Sequence, residues 1–334
     1  MSSPIGLDLE KLASYMDTGP LSGELIAGGK SNLTYKVLAG QETWIVRRPP
    51  LGHVLATAHD MSREHRIVTA LRPTGVPVPR TIALCDDVSV IGAPFYIMQF
   101  VEGAIYRTSH EAAALGRERL DRITGSLTEV LARLHAVDPA TVGLRDFGRP
   151  DGYMQRQLSR WRKQLDASRS RDLPGIDELH ARLELTVPAT KHIGIVHGDY
   201  KLDNVIVSES TDEVAAVLDW EMSTLGDQLA DVGLLLMYWE RLTKGGDLFG
   251  EPAPPGDWYP SGDALTEKYA RASGADLSRL NWYIAFANFK LAVIAEGIHF
   301  RFISGQTVGE GFERIGEGVP VFVARGHELL AQEE

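Results

Sequence analysis

Near the middle of the chain, three side chains have the types and spacing to hold a metal-bound phosphate and to accept a proton. Asp199 and Asn204 lie five residues apart in His197-Gly-Asp-Tyr-Lys-Leu-Asp-Asn204, and Asp219 follows the apolar pair Val217-Leu218. Ile195-Val196 precedes the first group and Val205-Ile-Val207 follows it. Such runs read as short buried strands that present polar groups at their tips. If Asp199, Asn204 and Asp219 meet, they supply one general base and two oxygen ligands. That set can hold Mg²⁺ against a nucleotide phosphate and orient an attacking hydroxyl.

The elements that must position these groups belong to a chain of 334 residues, 44% of them hydrophobic, enough for a substantial core and about two domains or lobes. The 34 basic residues are outnumbered by 45 acidic ones, giving a net charge of -11. A general electrostatic grip on nucleic acid or an anionic membrane is therefore not expected, and small molecules are the expected partners. Cys85 is the only cysteine, which excludes an internal disulfide and a thiolate metal cluster and fits a reducing compartment, with cytoplasm as the default. Met1 to Glu10 has no basic region followed by an apolar run, and no stretch of about 18 apolar residues occurs. Neither secretion nor membrane spanning is expected.

The first hundred residues read mainly as strands. Leu7 to Met16 has the spacing of a short amphipathic helix. Leu25 to Leu38 reads as strand, glycine turn, strand, with Gly28 and Gly29 able to take backbone angles closed to other residues. Its amides could lie on phosphates, although an ordinary hairpin has the same pattern. Thr43 to Arg48 alternates, placing Trp44 and Val46 on one face and Ile45 and Arg47 on the other. Asp60 to Arg72 reads as a helix with Ile67, Val68 and Leu71 on its apolar face and Gly75 as its stop. Arg47 and Glu64, 17 residues apart, either form an ion pair that sets the cation over a nucleotide's phosphates or are separately solvated. Ala93 to Gly103 is a further strand ending in a hinge. Its backbone edge from Gln99 to Val101 is available for a purine base in the same way as any strand edge.

From Glu111 the pattern turns helical. Helices are expected over Arg117 to Val137, Gly152 to Ala167, Leu179 to Leu185, Asp227 to Arg241, Asp276 to Ile303 and Val319 to Ala331. Glu251 to Gly256 is a proline-rich loop, followed by Trp258 and Tyr259 as possible flanks of a pocket.

His197, Asp199, Lys201 and Asn204 form H-x-D-x-K-x-x-N, the spacing of the protein-kinase catalytic loop, and Asp219 stands where that family has the Asp of D-F-G. The H-G-D form followed by L-D-W more closely resembles the aminoglycoside phosphotransferase and choline kinase superfamily. His197 to Asn204, Val217 to Gly226 and Leu229-Ala-Asp-Val-Gly233 look most like the branch of kinase domains fused to acyl-CoA dehydrogenases and related bacterial phosphotransferases. The resemblance implies an α+β, two-lobed protein-kinase-like fold. A β-rich nucleotide-binding lobe would span 1–103 and end in the hinge, and a mainly helical lobe would span 104–334 with the catalytic loop and the acceptor pocket.

It also implies roles. Asp199 would be the catalytic base, while Asn204 and Asp219 would bind Mg²⁺ bridging the phosphates of ATP. His197 would brace the loop, and Lys201 would touch the γ-phosphate. Gly29, Ser31 and Asn32 fall in the phosphate-covering loop, and Glu64 falls at the helix glutamate. Arg47 takes the place of the usual phosphate-binding Lys, with Arg48 as a register alternative. Asp231 would tie the next helix to the catalytic loop. Only Trp220 to Ala230 separates Asp219 from Asp231, too little for a peptide-docking segment. The expected acceptor is therefore a small hydroxyl compound, either a hydroxyacyl-CoA type or an aminoglycoside or other small alcohol. Trp258, Tyr259, Tyr283, Asn288, Lys290 and Glu296 are candidate walls. A nucleotide-binding pseudokinase with a regulatory role is the alternative from another class.

Overall fold

A computed structural model describes residues 3–26, 32–51, 59–245, 253–254, 256–306 and 312–333. In chain order it contains α1 (Leu9–Tyr15), β1 (Ser22–Leu25), β2 (Leu33–Ala39), β3 (Glu42–Arg48), α2 (Met61–Leu71), β4 (Thr81–Cys85), α3 (Val88–Ile91) and β5 (Phe95–Gln99). There follow α4 (Ser109–Ala114), α5 (Gly116–His135), α6 (Tyr153–Ser168), α7 (Ile176–Leu185), β6 (Ile193–Val196), β7 (Val205–Val207), β8 (Val214–Val217) and β9 (Thr224–Asp227). The chain closes with α8 (Leu229–Glu240), α9 (Gly262–Ser273), α10 (Leu280–Ile303) and α11 (Gly318–Ala331). Two units result. One holds Met1–Ala104, Ile206–Ser208 and Val214–Met222; the other holds Ile105–Val205, Glu209–Glu213 and Ser223–Glu334.

The first unit is built on a five-stranded antiparallel sheet in the order β1-β2-β3-β5-β4. Strand alternation sorts its side chains. Tyr35, Val37, Trp44, Val46, Phe95 and Ile97 pack with Leu9 and Leu12 of α1, whereas Ile45, Tyr96 and Met98 pack with Met61 of α2. Asp60 caps α2 by accepting the Arg63 amide, and Ile67, Val68 and Leu71 are buried. Because α2 covers the Ile45 face, it brings Glu64 to the strand side that carries Arg47. Ala104 and Val207 form a two-way backbone bridge, at 2.9 and 2.8 Å, that ties the end of this segment to β7.

The second unit is mainly helical. Leu120, Ile123, Leu127, Val130, Leu131 and Leu134 of α5 are fully buried, and α5 packs on α9. Helix α10 is apolar on most sides and packs against α6, α7, α8 and α11, as expected of a helix buried all round. It crosses α8 closely at Gly233, where a Cβ would lie 2.6 Å from the Tyr283 carbonyl carbon. Strands β6 and β9 pair antiparallel, with Ile195 opposite Leu225. Among the described residues, no helix is long and apolar enough to cross a membrane.

Several elements differ from the sequence reading. Strand β4 and helices α3 and α9 were not expected. Asp87 caps α3 by accepting the Ser89 amide. Helix α8 begins at Leu229, since Asp227 ends β9 and accepts the Leu229 amide. The β-rich unit runs to Ala104 and takes in residues 206–208 and 214–222, with Asp219 among them.

Candidate active site

In the helical unit, the loop after β6 is fixed by a buried acid. The Asp231 carboxylate, in the first turn of α8 and fully buried, accepts the His197 amide at 2.6 Å and the Gly198 amide at 2.8 Å. His135, on the last turn of α5, approaches the same carboxylate at 3.4 Å and meets the Tyr269 hydroxyl at 2.7 Å. Burial alone would raise the Asp231 pKa, but the His135 hydrogen bond, the two histidines and the Gly198 amide outweigh it and hold it below the usual aspartate value. Gly198 has φ +86°, which turns the chain sharply after His197. The His197 Nδ1 accepts the Asp199 amide at 3.2 Å, and its ring stands edge-on to Tyr200 at 5.7 Å. His197 therefore holds the loop from within, with its ring fully buried.

Asp199 is then surrounded by donors. Asn204 donates Nδ2 to the Asp199 carbonyl at 2.8 Å and to Oδ2 at 2.9 Å, which leaves Asn204 Oδ1 as its ligand-type atom. Lys201 Nζ lies 3.2 Å from Asp199 Oδ2, 3.4 Å from Asp203 Oδ2 and 4.6 Å from the Tyr238 ring centroid. Burial alone would lower the Lys201 pKa, yet Tyr238, Asp199 and Asp203 together raise it, so the ammonium stays charged. Burial raises the Asp203 pKa despite Lys201.

In the β-rich unit a second cluster forms around Arg47. Its Nε lies 3.2 Å from Glu64 Oε2, and its Nη2 lies 3.1 Å from Asp219 Oδ1 and 3.4 Å from Glu64 Oε1. Of the two readings of this pair, the structure contains the ion pair. Glu64, 2% exposed, also accepts the Tyr96 hydroxyl at 3.0 Å and Asn32 Nδ2 at 2.7 Å. Burial pushes the Glu64 pKa up against the opposing pull of Arg47. Asn32 Nδ2 reaches Glu221 Oε2 as well, at 3.2 Å. Asp219 sits at φ +64°, a left-handed conformation that Asp tolerates better than most residues and that clusters at functional sites. Oxygen atoms of Glu64, Asp219 and Glu221 lie within 4.8 Å of one another. An all-oxygen set of this kind suits a hard cation such as Mg²⁺.

The structure thus gathers His197, Asp199, Lys201 and Asn204 in one unit and Asn32, Arg47, Glu64 and Asp219 in the other. Gly29 and Ser31 lie outside the described residues. Arg48 is no register alternative, since its guanidinium donates to the Gly6, Ile91 and Pro49 carbonyls at 2.5, 2.9 and 3.2 Å. At the end of β5, the Gln99 and Phe100 amides donate to the Arg80 and Thr43 carbonyls. A purine-facing edge would therefore draw its amide from Val101 and not from Gln99.

The expected acceptor walls are largely internal. Tyr283 donates to Asp227 at 2.7 Å, and Asn288 and Glu296 are buried. Glu296 accepts from Ser170 and Arg171. Lys290 Nζ donates to the Gly198 carbonyl at 3.1 Å and lies 5.6 Å from the Trp161 ring centroid. Tyr259 lines a cavity of about 570 Å³ with Glu240 and Arg325, and Asp199 is not among the residues that line it. Two tyrosines escaped the sequence reading. Tyr96 pairs with Arg47 across the β3–β5 ladder, so strand register could have found it. Tyr238 sits in an apolar helical run that carries no such signal.

Comparisons with known proteins bear on this geometry. The profile of the phosphotransferase enzyme family matches residues 22–283. Acyl-CoA dehydrogenase family member 11 of Gallus gallus is 34% identical over 319 residues, which cover 93% of this chain and 40% of that protein. Family member 10 of Mus musculus is 34% identical over 314 residues, covering 92% of this chain and 29% of its own length. The chain therefore spans well under half of these relatives. Among solved structures, a candidate aminoglycoside phosphotransferase of Ralstonia eutropha superposes with a TM-score of 0.84 at 32% identity, covering 97% of this chain and 98% of that one. The aminoglycoside phosphotransferase APH(4)-Ia, solved with AMP-PNP and hygromycin B, gives a TM-score of 0.61 at 14% identity, covering 97% of each chain, a likeness of fold.

Proposed function

The chain belongs to the phosphotransferase enzyme family, and from that premise we propose that it transfers the γ-phosphoryl group of ATP to a hydroxyl of a small molecule. The observation that carries the reading is the Asp199 carboxylate. It is held by Asn204 at 2.9 Å and Lys201 at 3.2 Å, on a loop whose two preceding amides are clamped by Asp231. A carboxylate fixed in this way can orient an acceptor hydroxyl and take its proton as the O–P bond forms. Lys201 is the adjacent cation for the moving charge. Asn204 Oδ1 and the Asp219 carboxylate are the proposed Mg²⁺ ligands, with Glu64 and Glu221 near Asp219. Bound Mg²⁺ would neutralise phosphate charge and align the leaving group. Arg47, oriented by Glu64, is the proposed phosphate contact. His197 is assigned to bracing and Asn32, with Gly29 and Ser31, to the phosphate-covering loop. Gln99 and Val101 mark the proposed edge for the nucleotide base.

For the acceptor we favour a hydroxyacyl-CoA type. Its support is the 34% identity with acyl-CoA dehydrogenase family members 10 and 11 along nearly the whole of this chain. The test is an ATP-consumption screen with Mg²⁺ that compares hydroxyacyl-CoAs, aminoglycosides, choline-like alcohols and sugars. ADP release and a phosphorylated product only with hydroxyacyl-CoAs is the expected result. Turnover confined to aminoglycosides would overturn the acceptor class. Retained ATP binding with no hydrolysis and no transfer to any hydroxyl would overturn the enzyme reading in favour of a nucleotide-binding regulatory module.

A further inference from the structure

Helix α8 contains the run Leu234-Leu-Leu-Met-Tyr-Trp239, and its members are buried except Tyr238, which is partly exposed. The exposure has a direction. Lys201 Nζ lies 4.6 Å from the Tyr238 ring centroid, within the range of a cation–π contact. The Asp199 carboxylate is also near enough to the Tyr238 hydroxyl to raise its pKa, beside the larger effect of burial. One side chain thus holds the ammonium against its ring and faces the carboxylate that the proposed reaction uses. Asn204 and Lys201 both engage Asp199 Oδ2, on the carboxylate that the phenol faces. The hydroxyl therefore stays protonated at neutral pH and is able to donate to that carboxylate.

We propose that Tyr238 is a positioning residue: its ring seats the Lys201 ammonium and its hydroxyl fixes the Asp199 carboxylate before an acceptor hydroxyl arrives. The inference rests on the reading of Asp199 as the catalytic base. Lys201 is bidentate to two acids, Asp199 and Asp203, and without the ring it could swing toward either. The aromatic face restricts it to a position that serves both. Tyr238 acts through these two groups and not on the phosphate.

Tyr238→Phe and Tyr238→Leu separate the hydroxyl from the ring. ADP formation is followed with Mg²⁺-ATP and 3-hydroxybutyryl-CoA, and with water alone as acceptor. Tyr238→Phe is expected to lower kcat about tenfold with both KM values within twofold, and Tyr238→Leu to lower it about a further tenfold, with melting temperatures close to wild type. A wild-type kcat in Tyr238→Phe, or a rise in acceptor KM at unchanged kcat, would overturn the inference. An arm independent of turnover uses protein labelled with ¹³Cζ-tyrosine, with the Tyr238 resonance assigned by its loss in Tyr238→Phe. That resonance is expected to move in Asp199→Asn; a resonance that stays in place would overturn the inference while leaving the phosphotransferase reading intact. Absence of transfer by the wild type to any hydroxyl would overturn that reading and leave the spectroscopic arm to decide the contact.

Discussion

Replacing Asp231 with Asn tests whether a single buried carboxylate holds the loop that carries Asp199. In the wild type its oxygens accept the His197 amide at 2.6 Å and the Gly198 amide at 2.8 Å. An Asn of the same shape keeps one of these bonds through its oxygen but turns an NH₂ group toward the other amide. One charge-assisted bond is lost, worth about 1.5–3 kcal/mol, and a buried donor is left unpaired at about 1–3 kcal/mol more. The expected cost is about 4 kcal/mol, or roughly 10 °C in melting temperature for a unit of this size. The pH dependence follows from direction. Because the folded-state pKa of Asp231 is depressed, its stabilisation is fully present above the unfolded value of about 4 and disappears as pH falls through the folded value. Thermal melts of the two proteins should therefore differ most at neutral pH and converge only in acid. A difference below 2 °C at pH 7.5, or one that closes as pH rises, would refute the reasoning.

Three further outcomes follow from the same contacts. Arg47→Ala strands the buried Glu64 carboxylate, and urea unfolding should show a loss of about 3–5 kcal/mol, at least half of it recovered in Arg47→Ala/Glu64→Gln. Arg48→Ala removes three donations to carbonyls and should cost about 2–3 kcal/mol while leaving the KM for ATP within twofold, in contrast to at least a tenfold rise in Arg47→Ala. Gly233→Ala sets a Cβ 2.6 Å from the Tyr283 carbonyl carbon and should destabilise the α8–α10 crossing by more than about 2 kcal/mol, measured by chemical unfolding.

Local signals made much of the fold legible. The helix start at Asp60, the spacing of Ile67, Val68 and Leu71, and the alternation through Trp44 to Arg47 each depend on neighbours in sequence, and each appears in the structure. Strand β4 was missed because it is short and gains its ladder from β5, whose paired residues lie ten or more positions away. The spacing of His197, Asp199, Lys201 and Asn204 announced one cluster. Their supporting contacts were less visible, since Tyr238 reads as one more apolar helix position and Tyr96 acquires meaning only from strand register. Tyr283, Asn288 and Glu296 failed as pocket walls for a related reason. Polar residues on a long apolar helix can find buried partners, here Asp227 for Tyr283 and Ser170 with Arg171 for Glu296.

Asp199→Asn tests the assignment of Asp199 as the proposed base. The substitution preserves side-chain shape and removes the proton acceptor. Nucleotide binding by calorimetry should stay within about threefold of wild type, while phosphoryl transfer with Mg²⁺-ATP and the best acceptor from the screen falls by about 10²–10⁴-fold. Near-normal turnover in Asp199→Asn would show that Asp199 is not the base.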